Sequence, residues 1–517
     1  MKFNNLITAI ICTIFFNCSA QKSTVWEDYK KAQKNNTEAI LPNFSYVGYK
    51  YSEVPIPDVN YKVFDITEFG AIPNDTKSDK KAIEKAIEAA EKNGEGIIYI
   101  PKGKFYINTP EDNMNVIQIT SSKIVFRGED RNESIIFLEV DQKQTDVEKL
   151  WSTPASIETK TNKGGKKLAN ITADVRRGTH VIEVDKTSKI KKGDWITISV
   201  LNNSLDLVIS DLYPLKLEEG WKKIKKQGVK VNEHHQVEKI EGNKIHLVSV
   251  VHYDIKAKHN WTIESFTPLH HIGFENMTFE GNWKLDFKHH KNAQHDGGWR
   301  ILEISTVVDS WVKDVTFRNV STACSFKNSA ASTVLNIIVE GNKGHNVGTI
   351  AGCTGILQAA SEDKAGMHHS FGVSGGSSSG NVIWRCKYTP TTCFESHASQ
   401  PRTTLFDNVE GGFMQGRAGG ARQNLPNHGK ELVLWNYKET DEPEENFNFV
   451  SKKTWYWRIV PPIVVGFHGA GTTFNKDEVR ILESLGTPVQ PESLFEEQLK
   501  LRLGYLPEWI NDYKNNK

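Results

Sequence analysis

The sequence predicts an all-β fold, a single-stranded right-handed parallel β-helix with an N-terminal capping helix and a C-terminal helical segment. Three observations carry this: an amphipathic helix set among short apolar strands, β-branched and aromatic segments recurring about every 22 residues, and asparagines placed beside those segments.

The helix unit spans residues 63–106. An extended segment ends at Phe69-Gly70-Ala71, and Pro73-Asn74-Asp75 makes a turn in which Asn tolerates unusual backbone angles. Ala82, Ile83, Ala86, Ile87 and Ala90 then recur at i, i+3, i+4 spacing, with Lys80, Lys81, Glu84, Lys85, Glu88 and Glu91 on the other side. Gly94-Glu95-Gly96 stops the helix. Residues 97–100 read as a buried strand, and Pro101-Lys102-Gly103-Lys104 turns into another at Phe105-Tyr106-Ile107. A helix so placed covers the open end of a stack of strands.

The recurring segments are residues 272–279, 312–317, 334–339, 382–384 and 404–408. Phe317 to Val339 and Trp384 to Phe406 are each about 22 residues apart, and Val339 to Trp384 about twice that, which is a solenoid period. Asn276, Asn319, Asn336, Asn381 and Asn408 fall where amide side chains would stack at coil corners. Residues 181–184, 192–198 and 244–247 are strands between charged turns, expected as early coils within an excursion at about 150–262 that is longest around 201–228. Ser493 followed by Glu496 opens a helix carrying Leu494, Leu499, Leu501 and Leu503, ended by Gly504 and Pro507, which covers the last coil or a flank of the stack.

Residues 1–20 read as an export signal, with Lys2, an apolar run at 6–16, and Cys18, Ser19 and Ala20; cleavage after Ala20 is favoured over lipidation of Cys18. The expected organisation is a lead at 21–60, the β-helix at 61–475 and a C-terminal helical cap at 476–517, in the periplasm or at the cell surface. A net charge of +1 with mixed Lys and Glu argues against a nucleic-acid partner, and no later stretch suits a membrane span. Cys324, Cys353, Cys386 and Cys393 show no zinc spacing and read as buried thiols, with Cys386 and Cys393 the nearest pair for a disulfide.

The Phe-Gly-Ala segment, the Asp-rich turn, the Ala-Ile helix, the Gly-x-Gly break and Ile-Pro-x-Gly-x-Phe resemble the N-terminal signature of the pectate-lyase-like superfamily. That resemblance implies a right-handed parallel β-helix and leaves the reaction open among lyases, hydrolases, epimerases and tailspikes. Polygalacturonase-type hydrolases resemble one another in an Asn-Thr-Asp, Asp-Asp, Gly-His-Gly and Arg-Ile-Lys set. This chain has neither of the first two, and offers only Gly344-His345-Asn346 for the third. The acidic triad and Arg-x-Pro-x-x-Arg of calcium pectate lyases are also missing.

What remains is a run of His, Tyr and Arg between residues 288 and 422, which suits β-elimination from a uronate: a base takes the C5 proton, a cation steadies the carboxylate, and an acid protonates the C4 leaving group. His397, Arg402, Arg417, His368 and His369 are the candidate catalytic residues; Arg300, His345, Trp299, Tyr388 and Arg422 are the candidates for substrate binding. His289-His290, between two lysines, reads as a solvated loop. Adjacent histidines without further ligands at metal spacing give no metal site, and no cofactor is expected. Residues 395–408, Glu395-Ser396-His397 through Leu405-Phe406-Asp407-Asn408, resemble a His-containing turn of secreted pectate-lyase-like β-helices from polysaccharide-degrading bacteria. The chain as a whole resembles β-helix proteins of marine Bacteroidetes polysaccharide loci, an ulvan-oligosaccharide dehydratase among them. The expected protein is therefore a monomeric lyase or dehydratase on an acidic polysaccharide or oligosaccharide, with a glycoside hydrolase and a non-catalytic glycan-binding β-helix as alternatives.

Overall fold

Short strands rich in Ile, Val and Phe lie in parallel register from one coil to the next, and their pairings define three sheets. The computed structural model describes residues 21–161, 164–413, 419–450 and 458–514; the segment read as an export signal lies outside them. The first sheet runs from Val63–Asp65 and Gly96–Ile100 through Thr333–Leu335, Leu357–Ala359, Asn381–Trp384 and Thr404–Asp407 to Ile481–Glu483. The second includes Gly103–Ile107, Ile338–Glu340, Glu362–Asp363 and Lys387–Tyr388, and the long strands Ile272–Gly281 and Trp311–Arg318 serve both sheets. The third contains Arg300–Ser305, Thr322–Lys327, Ile350–Ala351, Gly372–Ser374 and Glu395–His397. One strand of each sheet per coil makes a parallel β-helix, its interior filled by one continuous apolar core.

Loop length sets the step between coils: Val307 N meets Ser329 Oγ 22 residues on, and Ile356 N meets Asn381 Oδ1 25 residues on. Phe317 stands on Val339 as the spacing predicts, whereas Phe406 pairs with Ile383, and Trp384 with Asp407. The corner between the first two sheets is a left-handed residue in successive coils, Asn276, Asp314, Asn336, Ala360, Arg385, Asn408 and Asn436. Asn and Asp tolerate that conformation by local hydrogen bonding, and Asn336 Nδ2 donates to Asp314 Oδ1 at 2.6 Å. Asn381 departs from the expected ladder and is buried inside the first sheet. Near the chain start the helix Lys80–Asn93 buries Ala82, Ile83, Ala86, Ile87 and Ala90 in the core with Phe64 and Ile98, and Gly94 ends it in a left-handed turn.

Residues 167–266 are not early coils. Lys167–Asn170, Val181–Glu183, Trp195–Asn202, Val229–Glu241, Lys244–Leu247 and Thr262–Phe266 form a six-stranded antiparallel sheet with its own core, joined by the helices Leu205–Leu212 and Lys222–Gln227. Two residues, Gly242 and Asn243, separate the strands ending at Glu241 and starting at Lys244. So short a link permits a hairpin, never a parallel crossover, and Gly242 supplies the positive φ it requires.

Two helices cover the outside of the first sheet rather than its end. Thr24–Asn35 and Leu494–Leu503 pack Trp26, Tyr29, Leu494, Phe495 and Leu499 against Leu357, Trp384, Leu405 and Trp435. Ser493 Oγ accepts from Glu496 N, but the Glu496 carboxylate turns away from the expected capping box to Trp384 Nε1 and Arg385 Nε. Its place at the helix start is taken by Asp407, buried in the first sheet, which accepts from Ser493 Oγ at 2.6 Å and from Leu494 N and Phe495 N. Burial pushes the Asp407 carboxyl up to about 7. All four described cysteines are buried free thiols. Among the described residues no helix is long and apolar enough to cross a membrane.

Asp407→Ala removes three acceptor contacts and strands buried donors, so it should cost about 2–4 kcal/mol and lower the melting temperature, whereas Asp407→Asn should keep part of the loss back. An unchanged melting temperature for the alanine variant would show that Asp407 does not hold the C-terminal helix down.

Candidate functional site

The chemistry gathers where the second sheet hands the chain to the third. His369 lies in register with Asn346 of the preceding coil, its N donating to His345 O at 2.9 Å, and its ring comes 5.2 Å from that of His345. One coil further, the strand Glu395–His397 puts Glu395 and His397 on one face, since alternate residues of a strand point the same way. A loop before the third sheet, carrying the short helix Ala293–Gly297, brings Phe287, His289 and His290 over the same corner. Asp296 holds that loop by accepting from His290 N at 3.0 Å and from its Nδ1 at 2.7 Å.

Six imidazoles result. The His289 ring lies 4.1 Å from His368, 5.3 Å from His369 and 5.4 Å from His345, and His369 is 4.5 Å from His368 and 5.7 Å from His397. Phe287 stacks on His345 at 5.9 Å. Glu395, 1% exposed, sits between two of the rings, its Oε2 2.6 Å from His369 Nδ1 and its Oε1 2.7 Å from His397 Nδ1. Neither contact has the alignment of a hydrogen bond, so both Glu395 oxygens and both nitrogens of the buried His369 lack a hydrogen-bond partner among the described residues.

Environment divides these rings. Burial lowers His289 to about 4, helped by the neighbouring His369 and His290, and burial with the same crowding lowers His345 and His368 strongly. Burial opposes ionisation of Glu395, yet His369 and His397 win and hold it at about 2. Burial likewise opposes a charged His397, and Glu395 outweighs it, raising that ring above the usual imidazole value. Gly420 leans on the His397 ring: a Cβ there would stand 2.9 Å from its Nε2, so a glycine is needed for this approach.

Among the described residues two groups place three ligand atoms within 4.8 Å of one another, His289 with His345 and His369, and His369 with Glu395 and His397. Sequence spacing gives no hint of the first group, whose members come from separate coils and a loop, and in the second only Glu395 and His397 are neighbours in the chain. His289, expected in a solvated loop, therefore has one face against the cluster while the other meets solvent.

Of the residues predicted from sequence, His345, His368, His369 and His397 meet here. Arg402 does not. It is 1% exposed, its Nη1 2.6 Å from Asp211 of the inserted sheet and its guanidinium 4.9 Å over the Tyr253 ring. The turn around it docks the insertion, with Gln400 bridging Lys230 N and Gly228 O and Ser399 receiving Lys223 Nζ. Trp299 is no sugar platform, being a core residue packed on Trp283, and Tyr388 is buried with its hydroxyl on that of Tyr437. Arg300 is bound to Glu303 and the Thr153 carbonyl. Arg422 is exposed beside Glu218, lining a groove with Trp221 of the insertion rather than the histidine corner. Arg417 lies outside the described residues.

From His397 a half-exposed row crosses the third sheet through Ser374 and Ala351 to Lys327. At about 4.8 Å per coil its floor of small side chains is long enough for a short stretch of sugar.

The fold and corner define a parallel β-helix with a buried carboxylate set among histidines at a sheet edge. Residues 63–208 match the family model for rhamnogalacturonase A/epimerase, pectate lyase-like. Residues 366–513 match a model described as a domain of unknown function, DUF4955. The gp54 tailspike of Acinetobacter baumannii bacteriophage AP22, solved with a capsular saccharide, is similar at 11% identity and TM-score 0.44 over 80% of this chain and 65% of its own. The gp49 tailspike of Pseudomonas phage LKA1 is similar at 13% identity and TM-score 0.45, over 79% and 72%. A family 28 exopolygalacturonase of Yersinia enterocolitica is similar at 10% and 0.30, over 82% and 80%. The chain thus spans less than two thirds of the AP22 tailspike. No curated protein matches it in sequence.

Because Arg402 neutralises a buried carboxylate, Arg402→Met should leave Asp211 unpaired and cost about 3–5 kcal/mol. Adding Asp211→Leu should recover much of that loss, and calorimetric melting of both variants decides; a single variant as stable as the native chain would show the pair is dispensable.

Proposed function

We propose that the protein is a β-eliminating carbon–oxygen lyase acting on a uronate-containing acidic polysaccharide or on oligosaccharides cut from it, ulvan oligosaccharides among the candidates. The observation that carries this reading is the state of the carboxylates at the corner. Asp296 and Glu395 are both buried and engaged with imidazoles. Retaining and inverting hydrolysis each need a pair of carboxyls flanking the glycosidic bond, and here the groups that face solvent are imidazoles. The side chain of His397 is 37% exposed with a carboxylate behind it, the arrangement of an oriented proton carrier.

In this reading His397 takes the C5 proton of the uronate. The C5–H pair becomes the C4=C5 π bond, the C4–O bond breaks with its pair going to oxygen, and the proton returns from His397 to that oxygen. Glu395 fixes the ring and steadies its imidazolium form, and His368 and His369 stand beside it. Arg417, three residues before Gly420, is the proposed partner of the substrate carboxylate. The pectate-lyase-like match over residues 63–208 supports a carbohydrate substrate. A sugar leaving C4 makes the enzyme a polysaccharide lyase; a hydroxyl makes it an oligosaccharide dehydratase, and the cluster's place beside a short floor favours the latter slightly.

Elimination leaves a double bond conjugated to the carboxylate, so incubation with uronate glycans should raise ultraviolet absorbance. Mass spectrometry then separates cleavage into two fragments from loss of one water. His397→Ala should lower turnover by about two orders of magnitude or more without moving the melting temperature. New reducing ends without ultraviolet absorbance would make the protein a hydrolase and overturn the reading.

A further inference from the structure

We infer that His289, His345 and His369 hold a divalent transition-metal ion of the zinc class, with a fourth coordination position left open. Each offers a ring nitrogen within 4.8 Å of the other two. Zinc bound to three imidazoles needs nitrogens at about 2.0–2.1 Å from the ion, so closure of the rings by roughly an ångström completes the site, a movement within reach of side-chain rotation.

The surrounding contacts select the nitrogens. His345 Nδ1 lies 2.8 Å from the Asp296 carbonyl. A carbonyl only accepts, so Nδ1 carries the proton and the neutral ring presents a lone pair at Nε2. His369 Nδ1 faces Glu395 Oε2 at 2.6 Å, which leaves Nε2, buried and without a hydrogen-bond partner among the described residues, to point elsewhere. A backbone carbonyl accepting from one ligating histidine is the outer contact that orients an imidazole on a metal, and a carboxylate 2.6 Å from the other reaches the same alignment by a small rotation of the ring. His289 comes from the loop pinned through Asp296, so the residue that fixes His345 also fixes the segment carrying the third ligand.

The donor set specifies the ion. Three nitrogens suit zinc, cobalt, nickel or copper, whereas calcium and magnesium demand oxygen ligands. Three protein ligands with an open position describe a site that binds water or substrate rather than a purely structural one. Its neighbour is His397, whose ring lies 5.7 Å from that of His369. A uronate carboxylate oxygen is the group such an ion would take there.

The test needs no glycan, so it stands or falls separately from the elimination reading. The full chain, stripped with a chelator and dialysed, is titrated with zinc chloride by calorimetry and with cobalt chloride by visible absorption. One equivalent of zinc should bind, cobalt should give the intense bands of a tetrahedral nitrogen site, and calcium chloride should give no heat. His289→Ala, on the exposed lip, should abolish tight binding with an unchanged melting temperature, and His345→Ala should do the same. Glu395→Gln should weaken zinc by roughly 10- to 100-fold without removing it. Failure of the native chain to bind zinc or cobalt overturns the inference. So does full binding by His289→Ala, or loss confined to Glu395→Gln and His397→Ala, which would put the ion among the other three residues.

Discussion

In-register stacking of one coil on the next is the constraint from which the rest follows. It sets Gly372 beside Glu395 and Ser374 beside His397, and it places His369 beside Asn346, within ring contact of His345, although the chain travels a whole turn between them. The alternation of a strand then points Glu395 and His397 the same way. The carboxylate is confined among rings because the ladder leaves it no other position. Its burial is offset by the charge of its neighbours, and the His397 ring is raised in return.

Much of the fold was legible. The spacing of Ala82, Ile83, Ala86, Ile87 and Ala90 defines a buried helix face in any context, and short strands at a solenoid period leave few alternatives. Register was less legible, since loops of unequal length move the step, and Phe406 meets Ile383 instead of Trp384. The antiparallel insertion looks like coils in the sequence because its strands have the same composition; the two-residue link at Gly242 is the sign that separates them. At the corner, His368, His369, His345 and His397 could be named from their types and neighbours. Arg402, Trp299 and Tyr388 could not be sorted, since an arginine in a Pro-containing turn reads alike whether it meets solvent or a docked sheet. His289 reads as solvated because its flanking lysines are hydrophilic, while its partners are distant in sequence.

The stretch 395–408 looks like one motif in the sequence and has three separate uses in the structure. Glu395 and His397 belong to the histidine corner. Gln400 and Arg402 anchor the inserted sheet. Asp407 and Asn408 receive the C-terminal segment, Asn408 through Glu492. The model covering residues 366–513 includes both Asp407 and the helix it tethers, so that helix and the coils beneath it match together as a unit.

Glu483, in the last strand of the first sheet, accepts from Thr24 N at 2.6 Å, Val25 N at 3.1 Å and Ser23 Oγ at 3.2 Å, so the final coil caps the first long helix. Gln21–Lys22 adds a parallel strand to Val489–Gln490, and Gln498 bridges Phe44 N and the Pro42 carbonyl. A plain solenoid has nearest-neighbour contacts alone and can fray from either end. Here the opening and closing segments are fastened to each other along one flank, so the last coil cannot peel away until the N-terminal helix lets go of Glu483.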